Sequence, residues 1–147
     1  MPWYQYSVTP SGYRQPIVAV RLLHGNRQVQ LVAVVDSGAD ASLLNIEYAD
    51  LLGLDRNDAT QSKARVASGE EVTVYRWPDG LLELQFETNR FAFEGSFIEF
   101  PPTADGDNLM GRRDFFSQFI VQFWDAKFLM NIDLSPDHPL GDASTQI

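Results

Sequence analysis

One carboxylate, Asp36, stands where a strongly apolar stretch of the chain meets a turn. Residues 31–35 read Leu-Val-Ala-Val-Val, Ser37 and Gly38 follow the carboxylate, and apolar character returns at residues 43–44. This pattern predicts a buried strand that delivers a single Asp into a tight turn at its end. A carboxylate can act as a general base on water and then as a general acid. The segment therefore indicates acid–base chemistry such as hydrolysis.

A single ionised Asp in solvent performs both steps poorly at neutral pH, so this chemistry requires a second carboxylate. Two carboxylates held about 3 Å apart cannot both ionise, and they therefore share one proton. The Asp-Ser-Gly sequence occurs only once in the 147 residues. A second copy would have to come from another molecule across a two-fold axis. The enzyme hypothesis thus predicts a homodimer.

Composition narrows the class of protein. The length suits one domain, placed here at residues 1–135, followed by a loose polar tail over residues 136–147. Cys is absent, which excludes disulfides, thiolate metal sites and a cysteine nucleophile. The formal charge of −9 repels a phosphate backbone, so nucleic acid is not an expected partner. Without a signal core or an apolar run of about 20 residues, we expect a soluble, cytoplasmic protein with no membrane partner.

Short apolar runs separated by turn residues predict an all-β domain. The predicted strand pairs are 17–23 with 28–35, 82–87 with 91–100, and 121–124 with 128–132. A short helix is predicted after Asn45, which can cap it, and before Gly53, which can end it. A second short helix is predicted over residues 113–119, where three Phe side chains share one side.

Three separated motifs resemble those of the retropepsin-type aspartic proteases, the single-lobed family that includes retroviral proteases and their cellular and bacterial relatives. Residues 34–42 match the family's apolar-apolar-Asp-Ser/Thr-Gly-Ala signature. Residues 65–72 fall where the family places its flap, a hairpin that closes over the substrate. Residues 108–112, Asn-Leu-Met-Gly-Arg, match the apolar-apolar-Gly-Arg motif that precedes the family's last helix.

The resemblance implies a mainly β fold, the single lobe of the acid proteases, closed into a β-barrel and carrying one or two short helices. It also implies hydrolysis of peptide bonds in a peptide or protein substrate, without a metal or organic cofactor. In the family, the active enzyme is a homodimer in which each subunit supplies one Asp. Asp36 corresponds to that catalytic residue.

The neighbours of Asp36 also receive roles from the resemblance. Ser37 and Gly38 would support the active-site loop, and Arg112 would pair with Asp40 to brace it. The residues that the resemblance places against the substrate are Ala39 and Asp40 on the loop and Ser68 and Gly69 near the tip of the flap.

The flap segment departs from the family pattern. It carries a single glycine, Gly69, where the family has a Gly-rich tip, and Glu70 and Glu71 follow. A stiffer, more acidic flap would narrow the choice of substrate or accompany lost activity. The alternative function is therefore a catalytically silent dimeric peptide-binding or regulatory module on the same fold.

Asp36 allows two further interpretations, and the two His residues bear on a possible metal site. Asp-Ser-Gly is also a common turn sequence, because Asp and Ser bond local backbone and Gly accepts positive φ. A glycosidase-like hydrolase could pair Asp36 with another carboxylate, but no motif places that second group. His24 and His138 lack a cluster of carboxylates or Cys at metal-ligand spacing, so no metal site is expected.

Overall fold

The computed structural model describes residues 3–65, 69–99 and 108–135. The strands are β1 (Trp3–Gln5), β2 (Ser7–Val8), β3 (Arg14–Gln15), β4 (Ile17–His24), β5 (Arg27–Val35), β6 (Leu43–Asn45), β7 (Thr60–Arg65), β8 (Glu71–Arg76), β9 (Glu83–Phe86), β10 (Asn89–Ala92), β11 (Ser96–Ile98), β12 (Asn108–Met110), β13 (Phe119–Trp124) and β14 (Leu129–Leu134). The helices are α1 (Glu47–Leu51) and α2 (Phe115–Gln118), with 3₁₀ turns at Arg56–Asp58 and Asp125–Lys127. The prediction of a mainly β domain with one or two short helices is confirmed.

The main sheet has the strand order β10-β9-β4-β5-β12-β6-β11-β8-β7. β12 inserts between β5 and β6, parallel to β5 and antiparallel to β6. A second sheet, β1-β14-β13, joins the two ends of the described chain, and β2 pairs with β3. Within the described residues no pairing joins the edge strands β10 and β7, so closure into a barrel stays a prediction.

The predicted hairpins are present. β4 and β5 pair as far as His24 and Arg27, around a turn in which Gly25 has a φ of 60°. The last hairpin, β13 with β14, extends further than predicted at its open end, where Phe119 pairs with Leu134, and β14 begins one residue later than predicted. β7 and β8 pair out to Arg65 and Glu71, which places a hairpin at the position expected for the flap. Ser68, at its expected tip, lies outside the described residues.

The single strand predicted over residues 91–100 is wrong. The segment forms two strands, because β10 pairs with β9 while β11 lies between β6 and β8. The turn before β10 is also tighter than predicted and uses Glu87 at a φ of 54°. Gly95 marks the break between the two strands, since a Cβ at this position would collide with the carbonyl oxygen of Ser42. Strands β1 to β3 were not predicted, because runs of two or three residues show no periodicity.

The first predicted helix is confirmed as α1, and the Asn45 side chain accepts a hydrogen bond from Glu47 N at 2.9 Å. The second is shorter than the predicted span of 113–119. It begins at Phe115, because the carboxylate of Asp114 accepts a hydrogen bond from Phe115 N, and it ends where Phe119 is already extended and paired in β13.

Aromatic side chains fill the core beside the last helix. Phe115 and Phe119 have ring centroids 4.9 Å apart, and both contact Phe86 and Phe91. Each fully buried Phe contributes about 1.5–3 kcal/mol through removal of apolar surface from water. Residues 111–114, which lead into α2, are therefore anchored at their C-terminal end by the core.

Candidate active site

Asp36 begins the turn that follows β5. Its backbone N–H donates to the carbonyl oxygen of Met110 at 2.9 Å, which ties the turn to the end of β12. Its Oδ1 accepts a hydrogen bond from Gly38 N at 2.8 Å, and its carbonyl oxygen accepts from Ala39 N at 3.2 Å. The side chain is half-buried. Within the described residues Oδ2 has no hydrogen-bond partner, so one carboxylate oxygen is left for a ligand or a second molecule.

The turn at residues 111–113 holds the Asp36 loop from its other side. Arg112 N donates to Ala39 O at 2.9 Å, and Arg113 N donates to Asp40 O at 2.8 Å. Arg112 Nη2 also lies 2.5 Å from Asp40 Oδ1, which confirms the predicted ion pair. The two side chains are 58% and 81% exposed, and exposed pairs of this kind contribute at most about 1 kcal/mol. The backbone bonds therefore hold the loop more strongly than the ion pair does.

The end of the loop is fixed by a buried carboxylate that sequence reasoning missed. Asp114 Oδ1 accepts a hydrogen bond from Ser42 Oγ at 2.5 Å, and both residues are buried. Ser42 Oγ in turn accepts from Gly111 N at 3.1 Å. The one signal for Asp114 was its place directly before Phe115 and Phe116, where an Asp is a frequent helix cap. No local signal pointed to Ser42 as its partner.

Close contacts favour glycine at two positions around the Asp36 loop. A Cβ on Gly111 would lie 2.5 Å from Ala41 O, and one on Gly38 would lie 3.1 Å from Asp36 Oδ1. A side chain at Gly111 would force the loop backbone to move, whereas one at Gly38 would press on the Asp36 carboxylate. The glycines of the Asp-Ser-Gly and Gly-Arg motifs thus serve packing as well as turning.

An open cavity of about 570 Å³ borders Asp36 and Ser37. Its wall includes apolar side chains, among them Val34, Leu109, Phe123 and Phe128, together with Tyr6, Arg14 and Asp125. This mixture of apolar, aromatic and charged groups can take an amino-acid side chain next to a carboxylate.

Polar contacts organise the far wall of this cavity. Tyr6 Oη donates to Asp125 Oδ1 at 2.6 Å, and the Arg14 guanidinium lies 4.7 Å from the centre of the Phe128 ring. Burial, followed by this hydrogen bond, raises the pKa of Tyr6 from its ordinary value of 10.0. Tyr6 therefore stays a neutral hydrogen-bond donor well into the alkaline range.

The structure brings six of the predicted site residues together: Asp36, Ser37, Gly38, Ala39 and Asp40 on one loop, with Arg112 bonded to it. Gly69 belongs to the β7–β8 hairpin, is exposed and has a φ of 87°. The carbonyl oxygen of Gly69 accepts a hydrogen bond from Arg65 Nη1, which belongs to the same hairpin. Ser68 cannot be placed, because it lies outside the described residues.

The described ranges hold neither a cluster of metal ligands nor a membrane-spanning helix. No three of their His, Asp and Glu side chains are grouped so as to hold a metal ion. Neither helix of these ranges could span a membrane, since α1 has five residues and α2 has four.

Comparison with known proteins gives a likeness of fold. No protein-family model matches the sequence, and no curated protein matches it significantly. A retropepsin-like aspartic protease from Rickettsia conorii superposes with a TM-score of 0.58 at 18% identity, over 90% of this chain and 99% of that one. EIAV protease in complex with the inhibitor HBY-793 matches with a TM-score of 0.47 at 17% identity, over 67% of this chain and 82% of that one. The likeness to the Rickettsia conorii protein shows that the chain has a retropepsin-like fold.

Proposed function

We propose that this chain is an aspartic endopeptidase that acts as a homodimer, with Asp36 of each subunit forming the catalytic pair. The observation that carries the proposal is the placement of Asp36. Within a retropepsin-like fold, it lies on a loop bonded from both sides and borders an open cavity. The catalytic domain would span residues 1–135, with its main sheet closed into a barrel and residues 136–147 as a tail.

The dimer follows from the chemistry of a lone carboxylate. Asp36 has one oxygen bonded to Gly38 N and the other without a partner among the described residues. A second Asp36 across a two-fold axis would complete the pair and let the two share one proton. Exposed apolar side chains on the second sheet, β1-β14-β13, support such an association. Trp3 and Trp124 are each 49% exposed, and Phe123 is 39% exposed.

The reaction would proceed without a covalent intermediate. The ionised Asp36 takes a proton from water as the oxygen attacks the scissile carbonyl carbon, while the protonated Asp36 donates its proton to the carbonyl oxygen. The tetrahedral intermediate then collapses, the C–N bond breaks, and the leaving nitrogen is protonated by the pair. The rigid loop keeps both carboxylates aligned through these steps.

Substrate would bind in an extended form along the loop. Ala39 and Asp40 would contact its backbone from below, and Ser68 and Gly69 on the β7–β8 hairpin would cover it and exclude water. One side chain of the peptide would occupy the cavity beside Asp36.

The test compares cleavage of a mixed peptide library by the wild type, Asp36→Asn and Asp55→Asn. Asp55 is a matched control, because it is an exposed turn Asp whose Oδ1 accepts from Asn57 N, a bond that an Asn side chain can keep. We expect the wild type and Asp55→Asn to cut, with activity rising faster than linearly with concentration as dimers form. Asp36→Asn should fold, dimerise and cut nothing.

Other outcomes separate the alternatives. Cleavage that survives in Asp36→Asn would overturn the mechanism. Binding of a pepstatin-type inhibitor without peptide turnover in the wild type would favour the silent peptide-binding module. Release of sugar from a glycan panel would favour the glycosidase reading.

A further inference from the structure

Asp114 is a buried carboxylate that the proposed reaction does not use. It is 1% exposed. Its Oδ1 accepts hydrogen bonds from Ser42 Oγ at 2.5 Å, Ser42 N at 3.3 Å and Phe115 N at 2.9 Å, while its Oδ2 accepts from Glu94 N at 3.3 Å. A carboxylate is costly to bury unless hydrogen bonds replace its water. These four donors fill that role, and within the described residues no cation pairs with Asp114.

Asp114 accepts more hydrogen bonds than a helix cap requires. Capping α2 uses one contact, from Phe115 N. The remaining three bonds reach Ser42, at the end of the Asp36 loop and 72 residues away in sequence, and Glu94, before β11. Asp114 therefore joins three segments that are distant in the chain.

Ser42 connects Asp114 to the turn that holds the Asp36 loop. Its hydroxyl donates to Asp114 and accepts from Gly111 N at 3.1 Å. The residues that flank Gly111 hold the loop directly, because Met110 O accepts from Asp36 N and Arg112 N donates to Ala39 O. The position of Asp36 thus depends on the same turn that the Ser42 hydroxyl fixes.

We propose that Asp114, acting through Ser42, is a positioning residue that holds the Asp36 loop in the register needed for catalysis. This inference rests on the proposed function for its kinetic consequence and on the structure for the contacts themselves. Loss of Asp114 frees Ser42 Oγ from one partner, loosens the contact with Gly111 N and lets the Asp36 carboxylate shift. A misplacement of about 1 Å at a reacting group can cost about 100-fold in rate.

The variants are Asp114→Asn, Asp114→Ala and the control Asn108→Ala. The Asn side chain keeps one oxygen that can accept hydrogen bonds from Ser42 and Phe115. Its NH₂ group replaces Oδ2 and faces the Glu94 N–H, so two hydrogen-bond donors oppose each other. Asn108 is a buried residue of the same region of sheet, with Oδ1 accepting from Asn45 N at 2.9 Å and Nδ2 donating to Val32 O at 3.0 Å. The control therefore removes buried hydrogen bonds without touching the Asp36 loop.

We expect Asp114→Ala to lower kcat by about 100-fold with KM little changed, and Asp114→Asn to recover only part of that loss. Asn108→Ala should lower the free energy of unfolding but leave kcat near that of the wild type. A fall in kcat that merely follows stability across all three variants would overturn the positioning role.

Amide hydrogen exchange supplies a readout that does not need activity or the alanine variant. In Asp114→Asn, the amides of Asp36, Arg112 and Arg113 should exchange faster than in Asn108→Ala, relative to the rest of each protein. Equal or uniform acceleration in both would overturn the inference. If the wild type cuts no peptide, the proposed function fails, while the exchange data still decide whether Asp114 holds the loop.

Discussion

The Asp36 loop and the β7–β8 hairpin are built in opposite ways. The loop is bonded on one side by Met110 at the end of β12 and on the other by the turn at residues 111–113, and it is closed by the buried contact between Ser42 and Asp114. All six residues of β7 are exposed, and β7 is an edge strand of the main sheet. The buried side chains that attach the hairpin to the domain include Val72 and Val74 of β8, which pack with Ile98.

This difference matches two separate requirements of the proposed peptide hydrolysis. A catalytic carboxylate must stay within a fraction of an ångström of its place, so its loop gains from buried bonds and close backbone packing. A segment that covers a substrate must open and close, and few buried contacts give it a low free energy of local opening. The two regions therefore differ where their proposed tasks differ.

The largest difference between the two regions is expected when one glycine in each is replaced by alanine, which adds a methyl group. Gly111→Ala should lower the free energy of unfolding by about 1–3 kcal/mol and abolish cleavage, because the Cβ would collide with the Ala41 backbone. Gly69→Ala should cost only about 1 kcal/mol, since no atom of the described residues lies within 4 Å of its Cβ and the strain comes from the positive φ of 87°. Urea unfolding of both variants measures the difference.

Equal losses at the two glycines would contradict the contrast, since they would mean that the hairpin is packed as tightly as the loop. The kinetic readout adds a second check. Gly69→Ala should change KM more than kcat, because the hairpin is proposed to cover substrate and not to hold the reacting groups.

A smaller effect is expected at the root of the hairpin. Arg56 Nη2 lies 2.8 Å from Asp50 Oδ2, its Nη1 lies 3.3 Å from Glu99 Oε1, and its guanidinium sits 5.7 Å from the centre of the Tyr75 ring on β8. Arg56→Ala should lower the free energy of unfolding by about 1 kcal/mol, because these contacts are partly exposed. Hydrogen exchange should quicken along β8 and stay unchanged at the Asp36 loop.

The control for this network is Arg76→Ala, which removes one isolated ion pair with the exposed Asp79 three residues on. Its effect on stability should be near zero. If Arg56→Ala proved equally neutral, the network would not anchor the hairpin.

Apart from the Arg76→Ala control, the smallest effect is expected for Arg112→Ala, although Arg112 bonds to the Asp36 loop and matches a family motif. Its ion pair with Asp40 is exposed, while its backbone N–H keeps the bond to Ala39 O in any variant. The free energy of unfolding should fall by less than about 1 kcal/mol, and by still less in high salt. A loss above about 2 kcal/mol would show that the side chain, and not the backbone, secures the loop.

Much of this architecture could be predicted where it depends on local pattern. The β4–β5 hairpin follows from two apolar runs around Gly25, and α1 follows from Asn45 and Gly53. The Asp36 turn was visible because an apolar strand ends in Asp-Ser-Gly. The ion pair between Arg112 and Asp40 came from the resemblance alone.

What could not be predicted depends on contacts between distant segments. No periodicity in residues 91–100 shows that Gly95 must pass close to Ser42 O and so divide the segment into two strands. The bond between Ser42 and Asp114 is likewise invisible in either local sequence. Local propensity specifies a turn or a cap, whereas the partner of a buried polar group is decided by how the whole sheet packs.

The insertion of β12 between β5 and β6 has a consequence for the order of folding. The β4–β5 hairpin can form from neighbouring residues, but the loop that follows β5 gains its outer support only when residues 110–114 arrive. Contacts between such distant segments form slowly, because a long stretch of chain must first be closed. On a ribosome, a nascent chain that ends before β12 would hold Asp36 without its support. We therefore expect the carboxylate to gain its working geometry only after most of the chain has been synthesised, which delays any proteolytic activity until the domain is nearly complete.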